Sequence, residues 1–459
     1  MAKRFLFIGL SFFSATLSAQ LKEVDSVLTV DEFIQWVDQN HPLLKAVGNK
    51  LPIAKAELRK ARGAFDPYIS GTLASKEFNG EQYYRRPGVQ LSSATASPVQ
   101  LQLDWNSIDG LYTNPQDKLP PEGLFAIGGM INLGKGLLTD VRRTDLALAK
   151  AGVELSAAEA ELYRNELLTK AVQSYWKWFE ADQNLQAYEE AWQAAMEVYA
   201  FTINAFEAGD ASAMDTLDAR ALVSTWETDF YSAQSKAVKA LYDLSNWLWS
   251  AEERPVVLQP YVRPSAELPQ QMETTLLGKE HPLWTYNDQK EEQLRLKRQL
   301  AREYLKPTVA VGGAYLMPGN FEALPSQEDV DANNRLIKAK LGIPLFLREG
   351  RGYTQSQNLQ LESFQWERSA IENQWNNALS STASQLLQLE SAVKASVANQ
   401  ESVFLLLQAE QKKLVLGDSE LIKVNLRTGY FATAQIQRAK LQAELGQTWA
   451  YWMQLSAAY

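Results

Sequence analysis

Residues 353–416 read YTQSQNLQLESFQWERSAIENQWNNALSSTASQLLQLESAVKASVANQESVFLLLQAEQKKLVL, a run of 64 residues with neither glycine nor proline. The run is rich in Gln, Leu, Ala and Glu, which helices accommodate at little cost. At about 1.5 Å per residue, one continuous helix would be roughly 95 Å long. Helices in globular domains average only about 12 residues. The run therefore predicts an extended helical architecture.

The first half of the chain contains a comparable run, Val141–Ala208, which is broken only by Gly152. A helix tolerates one glycine at a cost of about 1 kcal/mol. Each run ends at a Gly-Asp pair, Gly209-Asp210 in the first half and Gly417-Asp418 in the second. Glycine after a helix suits a left-handed turn, so the chain should reverse within about two residues at each pair. We expect the returning helices at 210–254 and 418–459, with Asp418 as an acidic N-cap. Gly429 and Gly446 weaken the second of these helices.

A second pattern precedes the long runs and occurs in both halves. His41-Pro42 is followed by Pro67, and His281-Pro282 is followed at the same spacing by Pro307. Proline favours the first position of a helix, so each His-Pro pair predicts a short helix, at 41–65 and 281–306. Pro52 should kink or divide the first of these.

The repeated order indicates an internal duplication rather than a solenoid array. The predicted organisation is an N-terminal segment (20–40), a first structural repeat (41–250), a Pro-rich linker (251–280) and a second structural repeat (281–459).

Composition limits the class of protein. Residues 1–19 have the basic start, apolar core and small-residue cleavage site of a secretory signal peptide. The chain has no cysteine, which excludes disulfides and a lipid-modified N-terminal cysteine. The net charge of -9 argues against nucleic acid as a partner. No phosphate loop, zinc helix or nucleophile turn occurs, so we expect no enzyme activity, metal or cofactor.

Between the short and long helices the hydrophobic period changes to two. The clearest alternation is Val99–Trp105, with weaker strands at 69–78, 124–133, 308–316 and 336–346. Two strands fit the second half, and the first half holds two, or four if 83–91 and 99–105 form an extra hairpin. Strands of about 10 residues with aromatic ends suit an outer-membrane barrel. Four to six strands are too few to close one, so the protein must share strands with copies of itself. Three copies of four strands would give twelve.

Taken in order, these features resemble the TolC-type outer-membrane efflux protein family over essentially the whole mature chain. The resemblance rests on the duplicated His-Pro frame and on the strand-to-helix passage Gly134-Lys135-Gly136-Leu137-Leu138-Thr139-Asp140-Val141-Arg142-Arg143. It also rests on the looser counterpart Gly342-Ile343-Pro344-Leu345-Phe346 with Arg351, and on the tip segment 209–220. The fold class implied is an α+β membrane protein, in which long α-helical hairpins form a periplasmic tunnel that continues into a trimeric outer-membrane β-barrel.

The resemblance also implies partners and sites. Such proteins are homotrimeric exit ducts of tripartite efflux or type I secretion systems. They lie in the outer membrane of a Gram-negative type envelope and dock to a periplasmic adaptor and an inner-membrane pump. The expected docking residues are Gly209, Asp210, Ser212, Asp215, Ala219 and Arg220 in the first tip, and Gly417, Asp418, Ser419 and Arg427 in the second. Asp418 and Glu420 are the candidates for a periplasmic gate. Lys423 stands where the first tip has Asp215, a departure from the family pattern.

Two other functions compete with a transport duct. One is a periplasmic coiled-coil scaffold without a pore, in which the alternating segments form a soluble sheet. The other is a polysaccharide-active enzyme that uses the thirteen tryptophans. The enzyme would need a pair of carboxylates at a cleft, and the sequence spacing indicates none.

Overall fold

The computed structural model describes residues 27–110, 112, 118–268, 281–322, 324–326, 329–457 and 459. The predicted signal peptide lies outside the described residues, as does residue range 269–280 of the linker. The helices are α1 Val30–Asn40, α2 Pro42–Gly48, α3 Lys50–Gly63, α4 Val141–Ala208, α5 Ala213–Ser245, α6 Pro282–Glu303, α7 Arg348–Val415 and α8 Leu421–Ser456. The strands are β1 Val27–Leu28, β2 Tyr68–Phe78, β3 Glu81–Ala94, β4 Val99–Asn106, β5 Leu124–Asn132, β6 Arg263–Pro264, β7 Thr308–Pro318 and β8 Arg335–Gly342.

Both long helices are present as single elements of 68 residues. Helix α4 has the predicted bounds, whereas α7 begins at Arg348, five residues earlier than the sequence indicated. The returning helices are shorter than predicted, since α5 ends at Ser245 and α8 begins at Leu421. Helix α8 runs unbroken through Gly429 and Gly446.

Each His-Pro pair opens a helix, as predicted. The Leu283 N–H donates to Nδ1 of His281 at 3.1 Å, and the Leu43 N–H donates to Nδ1 of His41 at 3.3 Å. Burial lowers the pKa of both imidazoles, which keeps them neutral and able to accept these hydrogen bonds. The first short helix is divided at Asn49, so that Pro52 lies in the first turn of α3, where its missing N–H costs little.

The chain forms two compact units. The described residues of the first unit are 27–44, 167–268 and 382–453, and those of the second fall within 45–166, 281–381 and 454–459, with the gaps given above. In the first unit, β1 and β6 pair in parallel. Tyr175 joins them to α4, since its hydroxyl donates to the Leu28 carbonyl at 2.7 Å and accepts from the Ser265 N–H at 2.9 Å. The core of this unit is aromatic and includes Trp176 and Trp449.

The second unit contains a six-stranded sheet in the order β2-β3-β4-β5-β7-β8, antiparallel throughout. Four of its strands come from the first half of the chain and two from the second, so the alternative with an extra hairpin is the one observed. Segment 336–346 is strand only as far as Gly342, and α7 begins soon after it. None of the described helices contains a stretch apolar enough to cross a lipid bilayer.

Candidate functional site: hairpin tips and sheet

The first tip joins α4 to α5 through residues 209–212. Gly209 has φ +86, and the N–H of Asp210 donates to the Ala205 carbonyl at 2.8 Å, which closes the end of α4. Ser212 and Asp215 form a reciprocal capping box, with the Asp215 N–H donating to the Ser212 hydroxyl at 3.2 Å and the Ser212 N–H donating to the Asp215 carboxylate at 2.8 Å. The hydrogen bonds from the Ser212 N–H and hydroxyl to the carboxylate lower the pKa of Asp215. The predicted glycine turn is confirmed, although it takes four residues rather than two.

The second tip joins α7 to α8 through residues 416–420. Gly417 has φ +79, and the N–H of Asp418 donates to the Lys413 carbonyl at 2.9 Å, so the glycine stop is built like the first one. The predicted acidic N-cap is wrong. Helix α8 begins at Leu421, which leaves Asp418 inside the turn and makes Glu420 the residue that precedes the helix. Glu420 takes the position that Ser212 has in the first tip. No reciprocal capping box forms there, because the third helical residue is Lys423, whose ammonium group cannot accept a hydrogen bond.

The second tip contains a side-chain hydrogen bond that was not predicted from the sequence. The Ser419 hydroxyl donates to Glu410 Oε1 at 2.5 Å. This hydrogen bond lowers the pKa of Glu410, and nearby Lys413, Arg427 and Lys423 lower it further. Lys423 Nζ also lies 3.9 Å from Glu420 Oε1. Of the two gate candidates, Glu420 thus has a cation beside it.

The tips expose large apolar side chains. Val415 and Leu416 are 84% and 75% exposed, and Met214, Leu217 and Ile422 are also exposed. Contiguous exposed apolar surface commonly marks an interaction site. Ala219, one of the predicted docking residues, is only 1% exposed and lies against its own chain. The exposed apolar surface could have been predicted from the triplet Leu414-Val415-Leu416, because it lies directly before the Gly417 turn, at the end of the helix.

One face of the sheet is mostly apolar in all six strands, whereas the other is largely polar in β3 and β4 and carries mainly small or apolar residues in β5 and β7. The pairing places residues of the same parity on one face, and on one face they are mostly apolar. Members of this apolar face are Ile69, Leu73, Val89, Leu91, Leu101, Leu103, Trp105, Phe125, Ile127, Ile131, Val309, Val311, Ile337 and Leu341. On the opposite face, the amides of Gln90 and Gln102 donate to Asp104 at 2.8 and 3.1 Å. A sheet with one apolar face suits a wall between lipid and water.

The passage from β5 to α4 is held by the glycine-rich motif. The Lys135 N–H donates to the Pro307 carbonyl at 2.7 Å, and a Cβ at Gly134 would lie 2.0 Å from that oxygen, so only glycine fits. The Gly136 N–H donates to buried Glu303 at 3.0 Å. Arg143 closes the turn by donating to the Gly136 carbonyl and to Asp140. The motif thus fixes where the sheet ends and α4 begins.

Long helical hairpins with exposed apolar tips and an antiparallel sheet with one apolar face are the main features of the candidate site. Residues 137–248 match the outer membrane efflux protein family. This match confirms the resemblance seen in the motifs, and the family is one of efflux proteins rather than enzymes. No curated protein matches the chain in sequence.

Solved outer-membrane channels share the fold. The CmeC channel of Campylobacter jejuni is 14% identical with a TM-score of 0.63, and the match covers 93% of this chain and 85% of that one. The VceC outer membrane protein of Vibrio cholerae is 12% identical with a TM-score of 0.64, covering 93% and 96%. The open state of the MtrE channel of Neisseria gonorrhoeae is 12% identical with a TM-score of 0.61, covering 93% and 88%.

Proposed function

We propose that this protein is the outer-membrane exit duct of a tripartite efflux or type I secretion system. It passes substrates passively from an inner-membrane pump and a periplasmic adaptor to the exterior. The observation that carries the proposal is the two-faced sheet of six strands attached to helices of 68 residues. The match of residues 137–248 to efflux proteins supports it.

The protein works as a homotrimer in outer-membrane lipid. The outer strands β2 and β8 each have one unpaired edge. In hydrocarbon an unpaired backbone group costs several kcal/mol, so the sheet can enter lipid only if copies pair edge to edge.

Two experiments test the function together. The detergent-extracted particle should contain three copies, and it should conduct ions in a planar bilayer. A non-conducting particle of three copies would favour the periplasmic scaffold, and a stable monomer with full β content in detergent would contradict the trimeric duct.

The two hairpin tips bind the adaptor. Their exposed apolar side chains form a surface that water does not favour, and the capping geometry holds it in a fixed shape. Replacing Leu416 by glutamate should abolish export while trimers still reach the membrane. Val238→Glu is the matched control, because Val238 is also an exposed aliphatic residue but lies well along α5. Normal export by the Leu416 variant would exclude the second tip as the docking site.

Asp418 and Glu420 form the gate, with Asp418 the stronger element. Threefold symmetry can bring three copies of each acid together, and closely spaced carboxylates attract cations. Lys423 offsets the charge of Glu420 but not that of Asp418. Asp418→Asn should therefore reduce cation selectivity more than Glu420→Gln does, as measured by the reversal potential across a salt gradient. An unchanged reversal potential in the double variant would show that these acids have no gating role.

The two halves derive from a duplication. Support comes from the histidine sites, since the imidazole of His41 hydrogen-bonds to the Asn246 backbone and Nε2 of His281 lies 3.4 Å from the Gln454 carbonyl. Both carbonyls stand at the end of the returning helix of their own half. In an experimental structure of this protein, superposition of the second half on the first should place His281 at the position of His41.

A further inference from the structure

We propose that the channel wall has eighteen strands, closed by antiparallel pairing of β8 in one copy with β2 in the next. This inference rests on the proposed trimeric duct and replaces the twelve strands expected from the sequence. The strand count follows from the sheet, since three copies of six strands give eighteen. The extra strands in each copy are β3 and β4, so the proposal depends on whether that hairpin belongs to the wall.

The hairpin has the same apolar face as the rest of the sheet. Leu91 of β3 pairs with Leu103 of β4, and Leu103 pairs with Ile127 of β5, so the apolar face continues across the hairpin. On the other face Gln90 pairs with Asp104, and the two side chains are hydrogen-bonded. A soluble hairpin folded away from lipid would not need an apolar face aligned with that of its neighbours. The hairpin therefore lies within the wall.

The lengths of the connections agree with this placement. The β3–β4 connection, on the side where the helices attach, spans only residues 95–98. On the other side, β4–β5 and β7–β8 are joined through 107–123 and 319–334, and β2–β3 through the two-residue turn 79–80. Outer-membrane barrels have short periplasmic turns and longer extracellular loops.

The sheet also defines the register of closure. A row of paired residues runs from Tyr68 across the strands to Leu336. At the helix-attached end β2 begins at Tyr68, whereas β8 continues past Leu336 to Gly342, six residues further. Across the six strands of one copy, the helix-attached end of the sheet therefore moves six residues along the strands, measured from the row of paired residues. We place the start of the next β2 at the level where β8 ends, so that all the helices meet the wall at one level, and this pairs Gly342 of one copy with Tyr68 of the next.

This register matches the two edges along the whole of β8. It pairs Ile337 with Leu73 and Leu341 with Ile69, so the apolar face continues from one copy to the next. All four side chains are more than half exposed in the single chain. A shift of six residues over six strands corresponds to a strand tilt of about 35°, at the lower end of the 35–45° usual for such barrels. A shift by one residue would invert the faces.

Cysteine cross-linking tests the closure without background, because the chain has no cysteine of its own. Leu73→Cys combined with Ile337→Cys should give covalent trimers on oxidation in outer-membrane fractions, since directly paired Cβ atoms lie about 4.5–5.5 Å apart. Ile69→Cys with Leu341→Cys tests a second position in the same register. The control is Leu73→Cys with Ile127→Cys, which would form a disulfide within one copy only if β2 paired directly with β5 and the β3–β4 hairpin lay outside the wall.

The outcomes separate this inference from the proposed function. Covalent trimers from both β2–β8 pairs, and no disulfide from the control pair, support the eighteen-strand wall. A three-copy, conducting particle that forms the control disulfide, or that cross-links through neither β2–β8 pair, overturns the eighteen-strand wall and leaves the duct standing. A particle that does not contain three copies contradicts the duct itself.

Discussion

Gly446 gives the sharpest test of the helical core. It lies inside α8 and faces the fully buried indole of Trp176. A Cβ placed on Gly446 would lie 2.1 Å from two indole carbons and 2.5 Å from Nε1. Alanine gains about 1 kcal/mol over glycine from helix propensity. Forcing an extra methyl group into a packed core costs about 1–3 kcal/mol. At 2.1 Å from a rigid buried ring we expect the upper part of that range, so Gly446→Ala should destabilise the protein by about 1–2 kcal/mol net.

Gly429 is the matched control in the same helix. Its nearest non-local atom would be Trp226 Cζ2 at 3.9 Å, an ordinary van der Waals distance. Gly429→Ala should therefore raise the free energy of unfolding by up to about 1 kcal/mol. Thermal loss of the 222 nm circular dichroism signal, recorded in one detergent at one heating rate, compares the two variants. Trp176→Leu should partly relieve the destabilisation by Gly446→Ala, which gives a non-additive pair. The packing argument is refuted if Gly446→Ala melts at or above the temperature of Gly429→Ala.

Three further predictions test local interactions. Ser212→Ala removes the capping box of the first tip and should cost about 0.5–2 kcal/mol, seen as faster amide hydrogen exchange in the first turn of α5 with no change in trimer yield. Tyr175→Phe leaves the Leu28 carbonyl without its hydroxyl donor, a loss of about 1–3 kcal/mol, so limited proteolysis should cut the N-terminal segment sooner than in the wild type. Burial lowers the pKa of His281 below 6.5. The unfolded chain then binds the proton first, so the stability that His281 contributes is complete above pH 6.5 and is lost as the pH falls below it. His281→Asn keeps a capping acceptor without titrating, and its melting temperature should fall less between pH 6.5 and 5 than that of the wild type.

Features set by local chemistry could be predicted from the sequence. Helix α4 follows from a run without proline and with a single glycine, Gly152, and its end at Ala208 follows from the positive φ that Gly209 supplies. The capping box at Ser212 and the helix starts after His41 and His281 likewise depend only on residues within a few positions. Strand alternation was visible for the same reason, because the side-chain period of two reports which face is apolar.

Features set by distant contacts could not be predicted. The low helix propensity of Gly446 predicted a weak helix. In the structure, the glycine instead makes room for the indole of Trp176 from α4. The end of α5 at Ser245 depends on a turn in which the Val256 N–H donates to the Leu248 carbonyl, a contact between segments that propensity does not connect. The contact between Ser419 and Glu410 spans the second tip and has no sequence signature.

The unequal strand numbers of the two halves have a simple physical explanation. In an antiparallel sheet each added strand reverses the direction of the chain, so one extra strand would send α4 to the opposite side of the sheet. A hairpin adds two reversals and leaves the direction unchanged. Insertion of β3 and β4 between β2 and β5 therefore widens the sheet, while α3 and α4 still meet it at the same end, as α6 and α7 do for β7 and β8. A sheet of this kind can therefore widen by hairpins without any change in the helices attached to it.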